Sequence, residues 1–170
     1  MIIEANLTNV FRSVYRFLTE TSYTRGVVTG TLQTHFTGLT ISPAYPQDLT
    51  QITLPMIALN SPDEQTSEAQ FMGETNSTQY DFSIYGFAGE SSQDDSDNLF
   101  SRDLMRNDIK TLIENSFIEL YDFDISAVTG NMEVINITSR NLPAISSQLQ
   151  IERFKFVIDF SLIVLEKVDR

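Results

Sequence analysis

A chain of 170 residues, 41% hydrophobic, with twelve Phe and six Tyr, fits one domain with a real core, in which roughly 70% of the unfolded surface is buried. Its formal net charge of −12, from 23 acidic and 11 basic residues, argues against nucleic-acid binding as a main activity, because a phosphate backbone is gripped by Lys and Arg displacing counterions; the plain alternative meaning of the acidity is solubility. With no cysteine, disulfides, thiolate nucleophiles and thiolate metal sites are excluded.

The opening MIIEANLTNVFRSVYRFL carries Glu4 and no uninterrupted apolar stretch, so it does not read as a secretory signal. No run of about 18 apolar residues exists, so no membrane span is expected, and the chain reads as soluble and made in the cytoplasm. Asn6, Asn76 and Asn136 each open an Asn-X-Thr triplet, which in that setting is chance. Instead, Ile3, Leu7, Val10, Phe11, Val14, Phe17 and Leu18 share one face at helical spacing, with Thr8, Asn9, Arg12, Ser13, Arg16 and Glu20 opposite. The spacing predicts an amphipathic helix lying on its own sheet, and Gly26 closes the connection that follows it.

Residues 27 to 42 are rich in Thr and Val, which predicts one or two strands with Gly30 and Gly38 as bends or bulges. Residues 43 to 51 read as a loop. ITLPMIALN, 52 to 60, is a short apolar strand, with Pro55 placed at an edge or bulge because it cannot donate to a ladder. Residues 61 to 70 read as a polar loop. In TQYDFSIYGFA, Tyr80, Phe82 and Ile84 alternate with Asp81, Ser83 and Tyr85, the period of a half-buried strand.

The acidic loop 89 to 97 ends in Ser96 and Asp97, candidate caps for a helix over about 98 to 115, with Asp94 and Asp95 favouring its positive end. Leu104, Met105, Ile109, Leu112 and Ile113 form that helix's apolar face, and Asp108 intrudes at the margin. Arg102, Arg106 and Lys110 make a basic stripe, read either as a solvated face or as a contact with an acidic neighbouring subunit. Residues 117 to 125 and 132 to 138 are read as strands joined near Gly130, and 139 to 148 as a loop. In RFKFVIDFSLIVLEKV, Phe154, Phe156, Ile158, Phe160, Leu162 and Val164 alternate with Lys155, Asp159 and Ser161, predicting a long terminal strand; Val157, Ile163 and Leu165 on its second face predict that this face is partly covered too.

The order helix, strands, helix, strands predicts an α+β fold, a mostly antiparallel sheet with two main helices packed on one face. Enzyme signatures are sparse. His35 is the single histidine, which excludes a His-x-x-x-His zinc site; it lies in a predicted strand and reads as structural or surface. There is no Gly-x-Ser-x-Gly elbow and no glycine-rich phosphate cradle. Asp94, Asp95 and Asp97 lack the spacing of a calcium loop, and pairs such as Asp122 with Asp124 or Glu114 with Glu119 are expected in any acidic chain. Tyr85, Phe87 and Tyr121 are candidate contacts at a subunit interface, or else are covered by the helices.

Taken together, the segments 4 to 20, 53 to 59, 78 to 88, 97 to 115 and 150 to 168 resemble a tail terminator or tail completion (neck) protein of tailed bacteriophages. The likeness lies in the layout of an N-terminal amphipathic helix, the strand around TLPMIALN, the aromatic strand QYDFSIYGFAG, the helix NLFSRDLMRNDIKTLIEN and a terminal hydrophobic strand. Residues 27 to 51 are longer than that layout has. The resemblance implies one tail-terminator-like domain over 1–170 and a ring, often a hexamer, that caps the tail tube and joins it to the head. Implied partners are further copies of the chain, the tail tube protein, the head completion or connector protein and, where the tail is contractile, the sheath. DNA passes through the lumen without specific binding; neither a cofactor nor a membrane is implied. Asp94, Asp95 and Asp97 are candidate lumen residues. The rival readings are another head-tail connector, tube or baseplate component, a small carboxylate- or metal-dependent acidic hydrolase, and a module with an aromatic ligand groove.

Overall fold

The structure, a computed structural model, describes residues 7–48, 52–60, 63–67, 75–89, 95–116, 118, 121–122, 126–127, 132–142 and 154–167. The opening amphipathic pattern forms α1 (Leu7–Glu20), which buries Val10, Val14, Phe17 and Leu18. Ile3, at the start of that predicted face, lies outside the described residues. Ser13 does not sit on the polar face as expected. It is buried, and its hydroxyl donates to the Asn9 carbonyl at 2.6 Å, which satisfies it inside the helix.

Two short strands, β1 (Tyr23–Arg25) and β2 (Val28–Gly30), pair antiparallel across a loop of Gly26 and Val27. Gly26 has φ 64, the conformation that a two-residue hairpin with glycine first demands. Strands do form within 27 to 42, but the one expected around His35 is instead a single helical turn, α2 (Leu32–His35), so His35 is helical. Thr and His suit a strand, but Leu32 is the one residue of this turn that is buried, and a single turn places it in the core. Gly38, at φ 77, provides the expected bend.

Next come β3 (Thr40–Ser42) and β4 (Met56–Leu59), paired in parallel. Pro55 stands just outside β4, after a cis Leu54–Pro55 bond, with its carbonyl accepting from Thr40 N at 3.1 Å. Part of the segment expected as a polar loop is a strand, β5 (Asp63–Ser67). It contains no apolar residue to signal burial; the backbone ladder to its neighbour holds it. That neighbour is β6 (Thr75–Phe87), the aromatic strand.

Helix α3 (Asp95–Asn115) begins earlier than expected, so Ser96 and Asp97 lie inside its first turn and do not cap it. Two residue pairs, β7 (Tyr121–Asp122) and β8 (Ser126–Ala127), form a separate antiparallel ribbon. Among the described residues the strands read over 117 to 125 and 132 to 138 do not pair with each other, and Gly130, where they were to join, falls outside the described residues. β9 (Met132–Asn141) runs three residues into the predicted loop and pairs with β10 (Lys155–Lys167) instead.

The main sheet has the order β3-β4-β6-β10-β9, with β5 also on β6, and every pairing except β3 with β4 is antiparallel. This is the α+β architecture expected. Its axis is the unbroken register of β6 and β10, from Lys155↔Phe87 to Lys167↔Thr75. Because side chains alternate, Tyr80, Phe82 and Ile84 meet Leu162, Phe160 and Ile158 on one face. The rings of Phe82 and Phe160 stack at 5.3 Å. Val10, Val14, Phe17 and Leu18 of α1 and Met105, Ile109, Leu112 and Ile113 of α3 complete the same core. Each such fully buried side chain stabilises the fold by roughly 1.5–3 kcal/mol. Among the described residues no helix is long and apolar enough to cross a membrane.

β9 carries a bulge where the register shifts between Asp159 and Ser161. Asn136 there has φ 53, and Val134 and Ile137 both pack against the core. Asn and Gly reach this left-handed region at little cost, while a β-branched residue does not. Asn136→Gly is expected to leave stability within a few tenths of a kcal/mol, and Asn136→Val to lower it by about 1–2 kcal/mol, as read by urea denaturation.

Candidate functional site

The β1–β2 hairpin is fastened to α3 through one carboxylate. Asp108, read from the sequence as an intrusion on the apolar face, is 8% exposed. The Tyr23 hydroxyl donates to its Oδ2 at 2.8 Å, and Arg25 Nη1 donates to the same oxygen at 3.1 Å. Arg25 Nη2 also reaches the His35 carbonyl at 3.4 Å, and the guanidinium lies 5.2 Å from the Phe36 ring centre. His35 Nε2 sits 3.0 Å from the Tyr23 carbonyl, which can only accept, so this nitrogen carries the proton. The rings of His35 and Tyr23 lie 4.3 Å apart. His35 thus ties α2 to the hairpin. The partners come from the hairpin, α2 and α3, as much as 85 residues apart in sequence.

Burial first, and then the hydrogen bond and charge of Asp108, push the Tyr23 phenol well above its ordinary 10.0, against a smaller opposing effect of Arg25. The folded state therefore holds this proton more tightly than the unfolded chain does. Its contribution to stability is complete below the unfolded value and drains away as pH rises past about 10. Thermal melts of the wild type are expected to fall between pH 9 and 11 more steeply than those of Tyr23→Phe. Parallel curves would remove Tyr23 from the alkaline response.

Arg25 also stands between two cavities. One, of about 260 Å³, is lined by Arg25, His35, Phe36, Pro55, Leu104 and Met105 among others. The second, of about 240 Å³, lies against Tyr23, Asp108, Thr111 and Asn115. Among the described residues no group of three His, Cys, Asp or Glu side chains converges as for a metal ion. With Nε2 of His35 given to a carbonyl and Asp108 given to Tyr23 and Arg25, what this arrangement does is attach the hairpin.

The basic stripe of α3 is engaged within the chain. Arg102 pairs with Asp103 at 3.0 Å, Arg106 Nη1 donates to Asn141 Oδ1 of β9 at 2.9 Å, and Lys110 lies 3.5 Å from Glu114. Phe87, a candidate interface residue, is instead wholly buried. It sits on the sheet face away from the helices, where Tyr45 covers it at 5.8 Å and meets half-buried Tyr85 edge-on at 5.0 Å. The buried Lys155 ammonium lies 5.5 and 5.7 Å from the Tyr45 and Phe87 ring centres, a pair of cation–π contacts. Further along this face Ser161 donates to Asp81 and Ser83 to Asp159, each at 2.6 Å. The second face of the terminal strand is thus covered in part, as Val157 and Ile163 suggested, while the side chain of Leu165 lies outside what is described. Of the acidic trio, Asp94 lies outside the described residues, Asp95 opens α3, and Asp97 is exposed in its first turn. Tyr121 lies in β7, and its side chain is outside what is described.

The surface that stands out most carries none of the motifs read from the sequence. The large apolar side chains exposed among the described residues are Val27, Val28, Leu99, Phe100 and Leu104, of which Val27 is 99% and Phe100 73% exposed. They fall in two segments, the hairpin tip and the first half of α3. Leu104, expected in the core, is 42% exposed, since Met105 takes the buried position beside it. The signal was present in two places: a Val-Val pair directly after Gly26, and a Leu-Phe pair ahead of the helix's buried stripe.

Comparison with protein-family models and with curated proteins gives no match.

Proposed function

We propose that this chain is a non-enzymatic structural subunit of a tailed bacteriophage, a tail terminator whose ring caps the tail tube and joins it to the head connector. The observation that carries the reading is the grouping of exposed apolar side chains into two unlike segments, Val27 with Val28 and Leu99, Phe100 with Leu104. A ring is built from a heterologous contact, in which each copy presents one patch to the neighbour on its left and a different patch to the right. The layout behind the resemblance, an N-terminal helix, a long helix and a terminal strand on a mostly antiparallel sheet, agrees with the reading.

In this role the partners are other copies of the chain, six in the commonest arrangement of such rings, the tube protein, the head completion protein and, for a contractile tail, the sheath. A chain of net charge −12 suits a lumen through which DNA slides, since carboxylates repel a backbone carrying about one charge per 1.7 Å. Asp94, just before α3 in sequence, and Asp95 and Asp97, in its first turn, are the residues assigned to that lumen.

Electron microscopy of particles made without this chain tests the reading. Tails of unregulated, excessive length are expected. Tails of normal length beside unjoined heads would assign the chain to the connector, and complete, infectious particles would remove it from the virion altogether.

A further inference from the structure

The hairpin is a knob and the α3 side of the larger cavity is a hole, and both belong to the same chain. The tip, Gly26 to Gly30, carries no charge, and Val27 projects with 99% of its surface free. The cavity of about 260 Å³ has Phe36, Pro55 and Met105 in its wall, with Leu104 in the lining and also on the surface beside Phe100. A water takes about 30 Å³ of liquid volume, so several waters give way when valine side chains enter.

Arg25 supplies the polar half of the fit. Of its five N–H donors, Asp108 and the His35 carbonyl take two, and the guanidinium borders the cavity. The incoming tip has no charged side chain to offer, but its backbone carbonyls are acceptors. From these observations we infer that the Gly26–Val27 tip of one copy seats in the Arg25–Phe36–Leu104 cavity of the next copy, a head-to-tail contact.

The area involved sets how strongly free copies associate. The five exposed apolar side chains offer on the order of 500 Å², the size of a large patch on an ordinary monomer and well short of the roughly 1,200–2,000 Å² that a stable specific pair buries. Two copies alone hold each other weakly. A closed ring gives each copy both contacts at once, and a tube end that gathers the copies raises their effective concentration. The contact is therefore one that forms on assembly and is sparse in dilute solution. It rests on the ring reading for its setting, but its test needs no virus.

The chain has no cysteine, so every thiol is a chosen one. Single variants Val27→Cys and Leu104→Cys, both at exposed positions, are mixed at high concentration and joined with a short bismaleimide. Glu20→Cys, on the exposed end of α1, serves as the collisional control. The Val27→Cys and Leu104→Cys mixture is expected to give several-fold more cross-linked dimer than Val27→Cys with Glu20→Cys, and more than either variant alone. Val27→Cys coupling equally well to itself would mean a two-fold contact and overturn the inference. So would a yield no greater than that of the Glu20→Cys control. Either failure leaves the tail-length test standing, and cross-linking that succeeds while tail length stays normal without the chain would overturn the terminator reading alone.

Discussion

Gly86→Ala is expected to lower stability by about 3 kcal/mol, at the upper end of what overpacking usually does. Gly86 lies opposite Phe156 on β10, and the Phe156 ring covers it so closely that an added Cβ would stand 2.0 Å from Cζ and 2.2 Å from Cε1. Neither side has room to give. The glycine is in the middle of the sheet, with β4 on one flank and β10 on the other, and Phe156 is fully buried. Phe156→Ala alone should cost about 3–5 kcal/mol through lost burial and the void it leaves. In the double variant the clash has no second party, so the summed cost should fall short of the two singles by more than 1 kcal/mol. Urea denaturation of the four proteins measures this; strict additivity would mean that the ring does not occupy the space above Gly86.

The second large effect is expected at Asp108. Asp108→Ala removes the acceptor for both Tyr23 and Arg25, and a hydrogen bond to a charged group is worth about 1.5–3 kcal/mol. Arg25 keeps 35% of its side-chain surface in water, so solvent recovers part of its loss. A net cost of about 2 kcal/mol follows, with Asp108→Asn well below it because an amide oxygen still accepts. Hydrogen exchange should localise the damage: amides of Tyr23 to Gly30 lose protection before those of β6 and β10. The same variant should lower the Val27–Leu104 cross-link, because the knob is aimed by the groups that bond to Asp108. Equal protection across the hairpin in both proteins would show that Asp108 does not hold it.

The parts of this fold that announce themselves in the sequence are those with one buried face over many residues. Phe156, Ile158, Phe160, Leu162 and Val164 alternate because β10 lies under two helices, and Val10, Val14, Phe17 and Leu18 repeat at helical spacing because α1 lies on the same sheet. The silent parts are held by something other than a repeating apolar face. β5 reads DEQTS, and only its ladder to β6 makes it a strand. α2 is a single turn, too short for any period, and it overrides a strand-like run of Thr and His. Asp108 looks misplaced until Tyr23 and Arg25 arrive from the other end of the chain, an encounter set by topology alone.

The candidate surface shows the same division. Arg106, part of the basic stripe, and Phe87, an aromatic interface candidate, turn out to be employed within the chain. Val27 and Phe100 carry no chemical signature; each belongs to an apolar pair in the sequence, and exposure in the folded state is what gives those pairs meaning. On the proposed reading, in which copies join together, the informative residues are apolar ones left outside the core.

A cryo-electron microscopy map of the virion tests the account most directly. A closed ring of this chain is expected at the head-proximal end of the tail tube, with each β1–β2 hairpin against α3 of its neighbour and the start of α3 toward the channel. Density for the chain at the baseplate, or particles that contain none of it, would contradict that assignment.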